Sequence, residues 1–302
     1  MEVDIAPCSA STVVCQDPHV WLPSSFEGLV AELKHLNESA EGTRYRGQGR
    51  AEYPLDSTLA RSIQVALLGQ PYLSADLEAR ERFDSIRGSV EMMWLAQGIL
   101  QLKFGGLVGI RPELAEWVES NPGSDPYFEL MRRLQQYPEQ DSFVRGTPLM
   151  DWTYAPQVGL YFAATRGDGS VDSETDGALW VCDATAMGKI EHRDPEATLS
   201  VEKALDQLRE KVRAYAPGGE ALPGLPMIFN PRSQRLDLKA ERQKAVYFMQ
   251  VDLRNDLSFI WRAHEERTRK RLYIKLLVPR KIKATCLEWL ANNGFTREYL
   301  FP

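Results

Sequence analysis

The stretch TRYRGQGRAEYPLDSTLARS, from Thr43 to Ser62, gathers four arginines around a Gly-x-Gly turn in a chain that is acidic overall. Its first six residues predict a short strand. Because side chains alternate along a strand, Tyr45 would point to one face and Arg44 and Arg46 to the other. The stretch therefore predicts a strand whose end presents cations to an anion, which is either a ligand or a neighbouring carboxylate.

The composition is that of a globular protein. The chain has 302 residues, a formal net charge of −6, 43% hydrophobic residues and 26% charged residues, which is enough to bury a sizeable core. Mild acidity disfavours general electrostatic binding to nucleic acid but leaves room for a local basic groove. The largest concentration of positive charge, in 261–283, is interpreted either as a solvated face or as such a groove.

Targeting and metal-binding signals are not found in the sequence. The first residues lack the basic and apolar regions of a secretory signal, and no segment approaches the roughly 18 to 20 apolar residues of a membrane span. We therefore expect a cytoplasmic location and no membrane partner. The four cysteines and four histidines are scattered without metal-ligand spacing, so we expect reduced thiols and no metal site.

Hydrophobic periodicity predicts helices early in the chain and strands later. Helical spacing predicts a helix over SSFEGLVAELKHLN, 24–37, and a helical insertion from about 72 to 136. Strands are predicted in DGALWVCDA (176–184), PMIFNP (226–231), RQKAVYFMQVD (242–252) and RLYIKLLVPRKIK (271–283), before a helix in ATCLEWLANNGF (284–295). With residues 1–22 as a loose lead-in, this order predicts one α+β domain over residues 23–302.

The segment GTPLMDWTYAPQVGLYFAAT, 146–165, predicts a turn followed by a buried helix. Thr153 suits the N-cap and Pro156 the first helical turn. Two interpretations stay open for several residues here. Thr153 either caps the helix or contacts a ligand, Asp151 either orients the loop or lines a site, and Arg46 either binds a ligand or pairs with Asp151 or Glu241.

Three stretches together resemble the FRG domain family. They are YRGQ (Tyr45–Gln48), TPLMDWTYAPQVGLYFAA (Thr147–Ala164) and YLFP (Tyr299–Pro302), and the resemblance extends from about Phe26 to Pro302. Tyr45 replaces the Phe of the family's name, Pro148 stands where the family usually carries Arg, and ERQKAVYF (Glu241–Phe248) has Ala245 in place of a Gly. The family occurs mostly in bacterial and phage-related proteins, so the resemblance implies a toxin or antiphage effector, with an antitoxin as a possible partner.

The order of these features also resembles the arginine-serine-glutamate class of ADP-ribosyltransferases. That resemblance implies a mixed or antiparallel β core, NAD as the substrate and a nucleic acid or a protein as the acceptor. By position, Glu241, Gln243 and Arg46 would be the catalytic residues. The residues implied to bind NAD are Arg44, Arg46, Gly47, Gln48, Asp151 and Thr153.

The chemistry of ADP-ribose transfer explains these residue types. An arginine can hold phosphate oxygens with two hydrogen bonds, and glycines let the backbone approach a ligand. A carboxylate stabilises the oxocarbenium-like transition state, but Gln243 occupies the position of the expected glutamate. Loss of such a group commonly lowers the rate roughly 10² to 10³-fold. Glu241 or Asp151 would have to replace it; the alternative is a non-catalytic nucleotide- or nucleic-acid-binding module, or a scaffold for a partner.

Overall fold

The computed structural model describes residues 6–39, 42–87, 146–190, 225–229, 238–250, 252–253 and 255–302. Eight strands lie in these ranges: β1 (Thr12–Val14), β2 (Val20–Pro23), β3 (Thr43–Gln48), β4 (Leu149–Thr153), β5 (Gly177–Asp183), β6 (Met227–Phe229), β7 (Ala245–Met249) and β8 (Tyr273–Val278). The α-helices of the same ranges are α1 (Phe26–Ser39), α2 (Thr58–Leu68), α3 (Leu77–Arg87), α4 (Pro156–Ala164), α5 (Ala184–Ile190), α6 (Leu238–Arg242), α7 (Leu257–Thr268), α8 (Lys283–Asn292) and α9 (Arg297–Leu300). None of these helices is long and apolar enough to cross a membrane.

The strands form one mixed sheet in the order β1-β2-β8-β5-β3-β4-β7-β6. Neighbouring strands are antiparallel except β2 and β8, which are parallel. The α+β class predicted from the sequence is therefore confirmed. The helix predicted at 24–37, the strand predicted at 176–184 and the helix predicted at 284–295 correspond to α1, β5 and α8.

Helices cover both faces of the sheet, so the protein has two cores. Along β5, Leu179 and Val181 point to the core beneath α1, α4 and α8. The alternate residues Trp180 and Cys182 point to the core beneath α7, which contains Trp261. Because both faces of β5 and β7 are buried, their sequences are apolar at nearly every position rather than alternating.

The sheet opens between β3 and β4. β3 pairs with β5 along its whole length, and β4 pairs with β7 along its whole length. In the described sheet, however, β3 and β4 are joined by one residue pair, Tyr45 with Thr153. The next two antiparallel pairs in this register would join Arg46 to Trp152 and Gly47 to Asp151, and neither pair is formed. Backbone from the middle of the sheet therefore borders an opening.

Helix α4 lies unusually close to β3, beside this opening. A Cβ added to Gly47 would lie 2.0 Å from the carbonyl oxygen of Gly159 and 2.5 Å from the amide nitrogen of Ala163. A Cβ added to Gly159 would lie 3.0 Å from the Cβ of Tyr45. Because real Cβ atoms do not approach backbone as closely as one at Gly47 would, the contact requires glycine at that position, while Gly159 allows the close approach to the Tyr45 side chain.

The amino-terminal segment differs from the expected loose lead-in. Within residues 6–22, β1 pairs with β2, and β2 pairs with β8 at the edge of the sheet. Trp21 is fully buried, and His19 contacts both Asp17 and Glu265. These strands are too short for periodicity to reveal, and β2 is specified by contacts with a strand about 250 residues away.

Four helices of the described ranges, α2, α6, α7 and α9, were not predicted, and one predicted region is only partly described. α2 and α7 lie in segments that were interpreted as a turn and as a basic run, although Ser57 and Asp256 cap them. α3 falls in the predicted insertion, whose residues 88–136 lie outside the described ranges. The segment before α4 is strand β4 rather than a turn, because Leu149–Thr153 pairs with β7.

The close contact between β3 and α4 gives a prediction about stability. Gly47→Ala should lower the free energy of unfolding by about 3 kcal/mol, because the new methyl group meets backbone atoms that cannot move aside. Urea denaturation followed by circular dichroism measures this change.

Gly167→Ala is the matched control. No atom lies within 4 Å of a Cβ at Gly167, so the same substitution there should change stability by less than about 0.5 kcal/mol. Equal effects at the two positions would contradict the inferred packing.

Candidate functional site

A pocket of about 240 Å³ lies at the opening between β3 and β4. Its lining from the two strands comprises Tyr45, Arg46, Gly47, Asp151, Trp152 and Thr153. α4, the segment around α6 and the end of the described chain supply the other walls, with Val158, Gly159, Phe162, Lys239, Gln243, Ala245 and Phe301. The separation of the two strands thus creates a polar cavity with apolar walls, which is the usual form of a small-molecule site.

Arg46 places a positive charge in this pocket. Its Nη1 donates a hydrogen bond to the carbonyl oxygen of Asp151 at 2.5 Å, and its buried Nε has no hydrogen-bond partner. Among the residues that the structure describes, Arg46 forms no ion pair. The expected alternative of a structural salt bridge with Asp151 or Glu241 is therefore not observed.

The guanidinium of Arg46 is desolvated but still charged. Burial lowers its pKa to about 10, with the carboxylate of Asp151 opposing the shift and the nearby Arg61 adding to it. A group with this pKa is protonated at neutral pH. A partly buried cation that has an unsatisfied donor, and no carboxylate in direct contact among the described residues, favours binding of an anion.

Asp151 is the carboxylate of the pocket. It is an exposed residue of β4 whose neighbours Met150 and Trp152 are buried, so strand alternation directs it away from the core that they enter. Its charge acts on the Arg46 guanidinium through space. Of the acids predicted to line a site, Asp151 is in the pocket lining and Glu241 is not.

Thr153 joins three elements at the closed end of the opening. Its Oγ1 donates to the carbonyl oxygen of Gln243 at 2.7 Å and accepts from the amide of Ala155 at 3.0 Å. The prediction that Thr153 is the N-cap of α4 is wrong. Thr153 ends β4, and Ala155 occupies the cap position without a side-chain hydrogen bond, because Thr153 is held in the sheet by its pairing with Tyr45.

Gln243 lines the pocket, but its side-chain amide forms a structural hydrogen bond. Its Nε2 donates to the carbonyl oxygen of Leu300 at 3.1 Å, so Gln243 holds the segment after α9. Glu241 lies two residues earlier, in α6, and is exposed. Lys244, with a left-handed φ of 44°, turns the chain from α6 into β7, and the turn leaves Glu241 outside the lining.

Two predicted ligand-binding residues have structural contacts instead. Arg44 is buried, with its guanidinium 3.9 Å from the centre of the Tyr154 ring. The Oε1 of Gln48 accepts a hydrogen bond of 2.6 Å from the indole of Trp180, and its Nε2 donates to Pro54 at 3.2 Å. Neither side chain lines the pocket. Gly47 does line it, but the close approach of α4 already requires a glycine there.

Phe162, Lys239 and Phe301 are among the residues of the pocket wall that sequence reasoning missed. Phe162 was assigned to the core, and Lys239 and Phe301 received no role. The rings of Phe162 and Phe301 are 6.0 Å apart at 83°, and the Nζ of Lys239 lies 5.2 Å from the Phe301 ring. The motif YLFP was the available signal, but only tertiary packing shows that its Phe reaches the pocket.

Neither a scan of protein-family models nor searches of curated proteins and of solved structures found a match for this chain. Membership of the FRG family and likeness to ADP-ribosyltransferases therefore stay predictions. In the described ranges, no group of three or more His, Cys, Asp or Glu side chains is arranged to hold a metal ion. The chemistry of the pocket must be argued from its own geometry.

The contacts of Thr153 give a prediction about its role. Thr153→Val should lower the free energy of unfolding by about 2 kcal/mol, because the amide of Ala155 and the carbonyl of Gln243 both lose a partner. Thermal unfolding measures the loss.

Thr153→Ser keeps the hydroxyl and serves as the control, so it should retain most of the stability. If valine is tolerated as well as serine, the hydroxyl does not stabilise the junction, and a ligand contact becomes its remaining role.

Proposed function

We propose that this pocket binds NAD and that the protein is an ADP-ribosyltransferase. The observation that carries the proposal is the Arg46 guanidinium, a partly buried and charged group that has a buried Nε and forms no ion pair among the described residues. A pyrophosphate supplies the anion that such a group favours, because guanidinium N–H groups match phosphate oxygens in geometry and charge.

The order of the strands supports the proposal. β3, β4 and β7 are neighbours in the sheet, so Arg46, Thr153 and Gln243 come from three adjacent strands or from the turn before one. These are the positions that the resemblance to ADP-ribosyltransferases implied for the NAD-holding arginine, the Ser/Thr residue and the Glu-x-Glu turn. They line the same pocket here.

Asp151 is the acid that the pocket offers for catalysis. In the proposed reaction, the bond between nicotinamide and C1′ of the ribose breaks, and its electron pair leaves with nicotinamide. The Asp151 carboxylate stabilises the positive charge that develops on the ribose, as carboxylates do in glycoside hydrolysis. An acceptor oxygen or nitrogen then forms a bond to C1′ and releases its proton. Water as the acceptor gives NAD hydrolysis.

The size of the pocket indicates which part of NAD it encloses. Its volume of about 240 Å³ lies just below the roughly 300 to 1,000 Å³ of drug-sized sites. A whole dinucleotide would exceed it. The nicotinamide ribose and the adjacent phosphate would therefore occupy the pocket, where Asp151 and Arg46 lie, and the adenosine would extend beyond it.

A second candidate function is binding of a nucleotide without catalysis. The amide of Gln243 stands where the resemblance expects a carboxylate, and it is engaged with Leu300. Such a module would bind the same ligand through Arg46 but would release no nicotinamide. The transferase would act on a nucleic acid or protein acceptor, whereas the non-catalytic module would bind a nucleotide or nucleic acid or serve as a scaffold for a partner; an antitoxin is the proposed partner of either.

Nicotinamide release from NAD tests the proposed activity. Arg46→Ala should abolish release because the phosphate loses its cation, and Asp151→Asn should lower the rate roughly 10² to 10³-fold because the developing charge loses its carboxylate. The assay compares purified variants with equal thermal stability, with cellular RNA and protein supplied as acceptors.

Glu241→Gln is the matched control, since it makes the same chemical change at an acid outside the pocket lining. It should retain the wild-type rate. Loss of activity in Glu241→Gln but not in Asp151→Asn would assign catalysis to Glu241. Binding of NAD without release by the wild type would favour the non-catalytic module.

A further inference from the structure

The segment after α9 forms one wall of the pocket. Leu300 is fully buried in the core beneath α1, α4 and α8, while the next residue, Phe301, lines the pocket and remains 39% exposed. A buried anchor followed by a partly exposed aromatic ring is an arrangement that offers the ring to a ligand.

Polar side chains of the α6 segment hold this wall in place through its backbone. The Nε2 of Gln243 donates to the carbonyl oxygen of Leu300 at 3.1 Å, and the Nη1 of Arg242 donates to that of Tyr299 at 3.0 Å. The guanidinium of Arg242 also lies 5.2 Å from the centre of the Tyr299 ring. Gln243 and Arg242 thus position the segment without touching the Phe301 ring.

The surroundings of the Phe301 ring leave it ready for a second planar group. Phe162 meets it almost at right angles, 83°, with ring centres 6.0 Å apart. The Tyr161 ring lies 6.4 Å from it and the Nζ of Lys239 lies 5.2 Å from its centre, and the 39% of Phe301 that stays exposed is the part that a further ring can contact. Arg46 lines the same pocket, so an aromatic ring and a cation without an ion pair among the described residues are available to one small ligand.

We infer that Phe301 selects ligands that carry a planar aromatic ring, with Arg46 taking the attached phosphate and the α6 segment holding Phe301 in position. The inference rests on the proposed function and deepens it: the nicotinamide ring of NAD is the group placed against Phe301. It also assigns a positioning role to Arg242 and Gln243, since Gln243 supports the pocket wall instead of replacing the expected glutamate.

Calorimetric titration with two probes tests the inference. Nicotinamide mononucleotide carries both a ring and a phosphate, whereas ribose 5-phosphate carries the phosphate alone. Phe301→Ala should weaken binding of nicotinamide mononucleotide by about tenfold or more and should change binding of ribose 5-phosphate less than about twofold, because only the first probe has a ring to lose.

Three further variants make the comparison specific. Phe301→Tyr keeps the ring and should bind as the wild type does. Arg46→Ala should weaken binding of both probes. Phe259→Ala removes a phenylalanine that is 54% exposed and does not line the pocket, and it should affect neither probe.

Arg242 is not part of the pocket lining, so Arg242→Ala tests whether this residue positions Phe301 indirectly. The substitution should speed amide hydrogen exchange at Leu300 and Phe301. It should also weaken binding of nicotinamide mononucleotide more than binding of ribose 5-phosphate. Faster exchange with unchanged binding of both probes would contradict the positioning role.

The outcomes separate this inference from the proposed function. Two results would overturn the role of Phe301 even if the protein cleaves NAD. In the first, Phe301→Ala binds nicotinamide mononucleotide as tightly as the wild type does. In the second, Phe301→Ala loses the same factor of affinity for both probes. Ring-dependent binding through Phe301 without nicotinamide release would support the inference and overturn the transferase. Failure of the wild type to bind nicotinamide mononucleotide or NAD would overturn both.

Discussion

The single backbone pairing between Tyr45 and Thr153 is the constraint on which the candidate site depends. β3 is fully paired to β5, and β4 is fully paired to β7. The opening between β3 and β4 therefore leaves the pairing of the other strands intact. α4 lies against β3 through Gly47 and Gly159 and thereby brings Phe162 to the edge of the opening. Closing the strands by one more pair would remove the space in which Arg46 lies.

The positive charge of Arg46 makes the opening between β3 and β4 favourable for an anionic ligand. A buried donor without a partner costs roughly 1–3 kcal/mol, and Arg46 Nε is such a donor. A protein selected for stability alone would pair it with a carboxylate. An anionic ligand would satisfy the donor and neutralise the guanidinium on binding, so the same feature that lowers stability favours ligand binding.

Local signals in the sequence were sufficient for some elements and not for others. α1 was predictable because its apolar spacing is regular and Ser25 accepts a hydrogen bond from Gly28 near its start; α8 was predictable because Gly294, with φ of 83°, follows its end. β1 and β2 were not, since their pairing is specified by distant residues. α2 has a good cap in Ser57, which the arginine-rich interpretation of the stretch obscured.

The same distinction applies to the site. The order of motifs predicted that Arg46, Asp151 and Thr153 meet, and they do line one pocket. The left-handed turn at Lys244, which follows Gln243 and leads into β7, depends on how α6 meets β7. The role of Phe301 depends on packing between segments more than 130 residues apart, which no local pattern encodes.

A crystal structure of the protein with NAD would test the central claim most directly, namely that the opening between β3 and β4 is a ligand site organised by Arg46. The account predicts electron density for the nicotinamide ribose in this opening, with phosphate oxygens on the Arg46 guanidinium and the strands still joined only at Tyr45 and Thr153. Density for NAD elsewhere on the protein, or a closed ladder with Arg46 paired to a carboxylate, would contradict it.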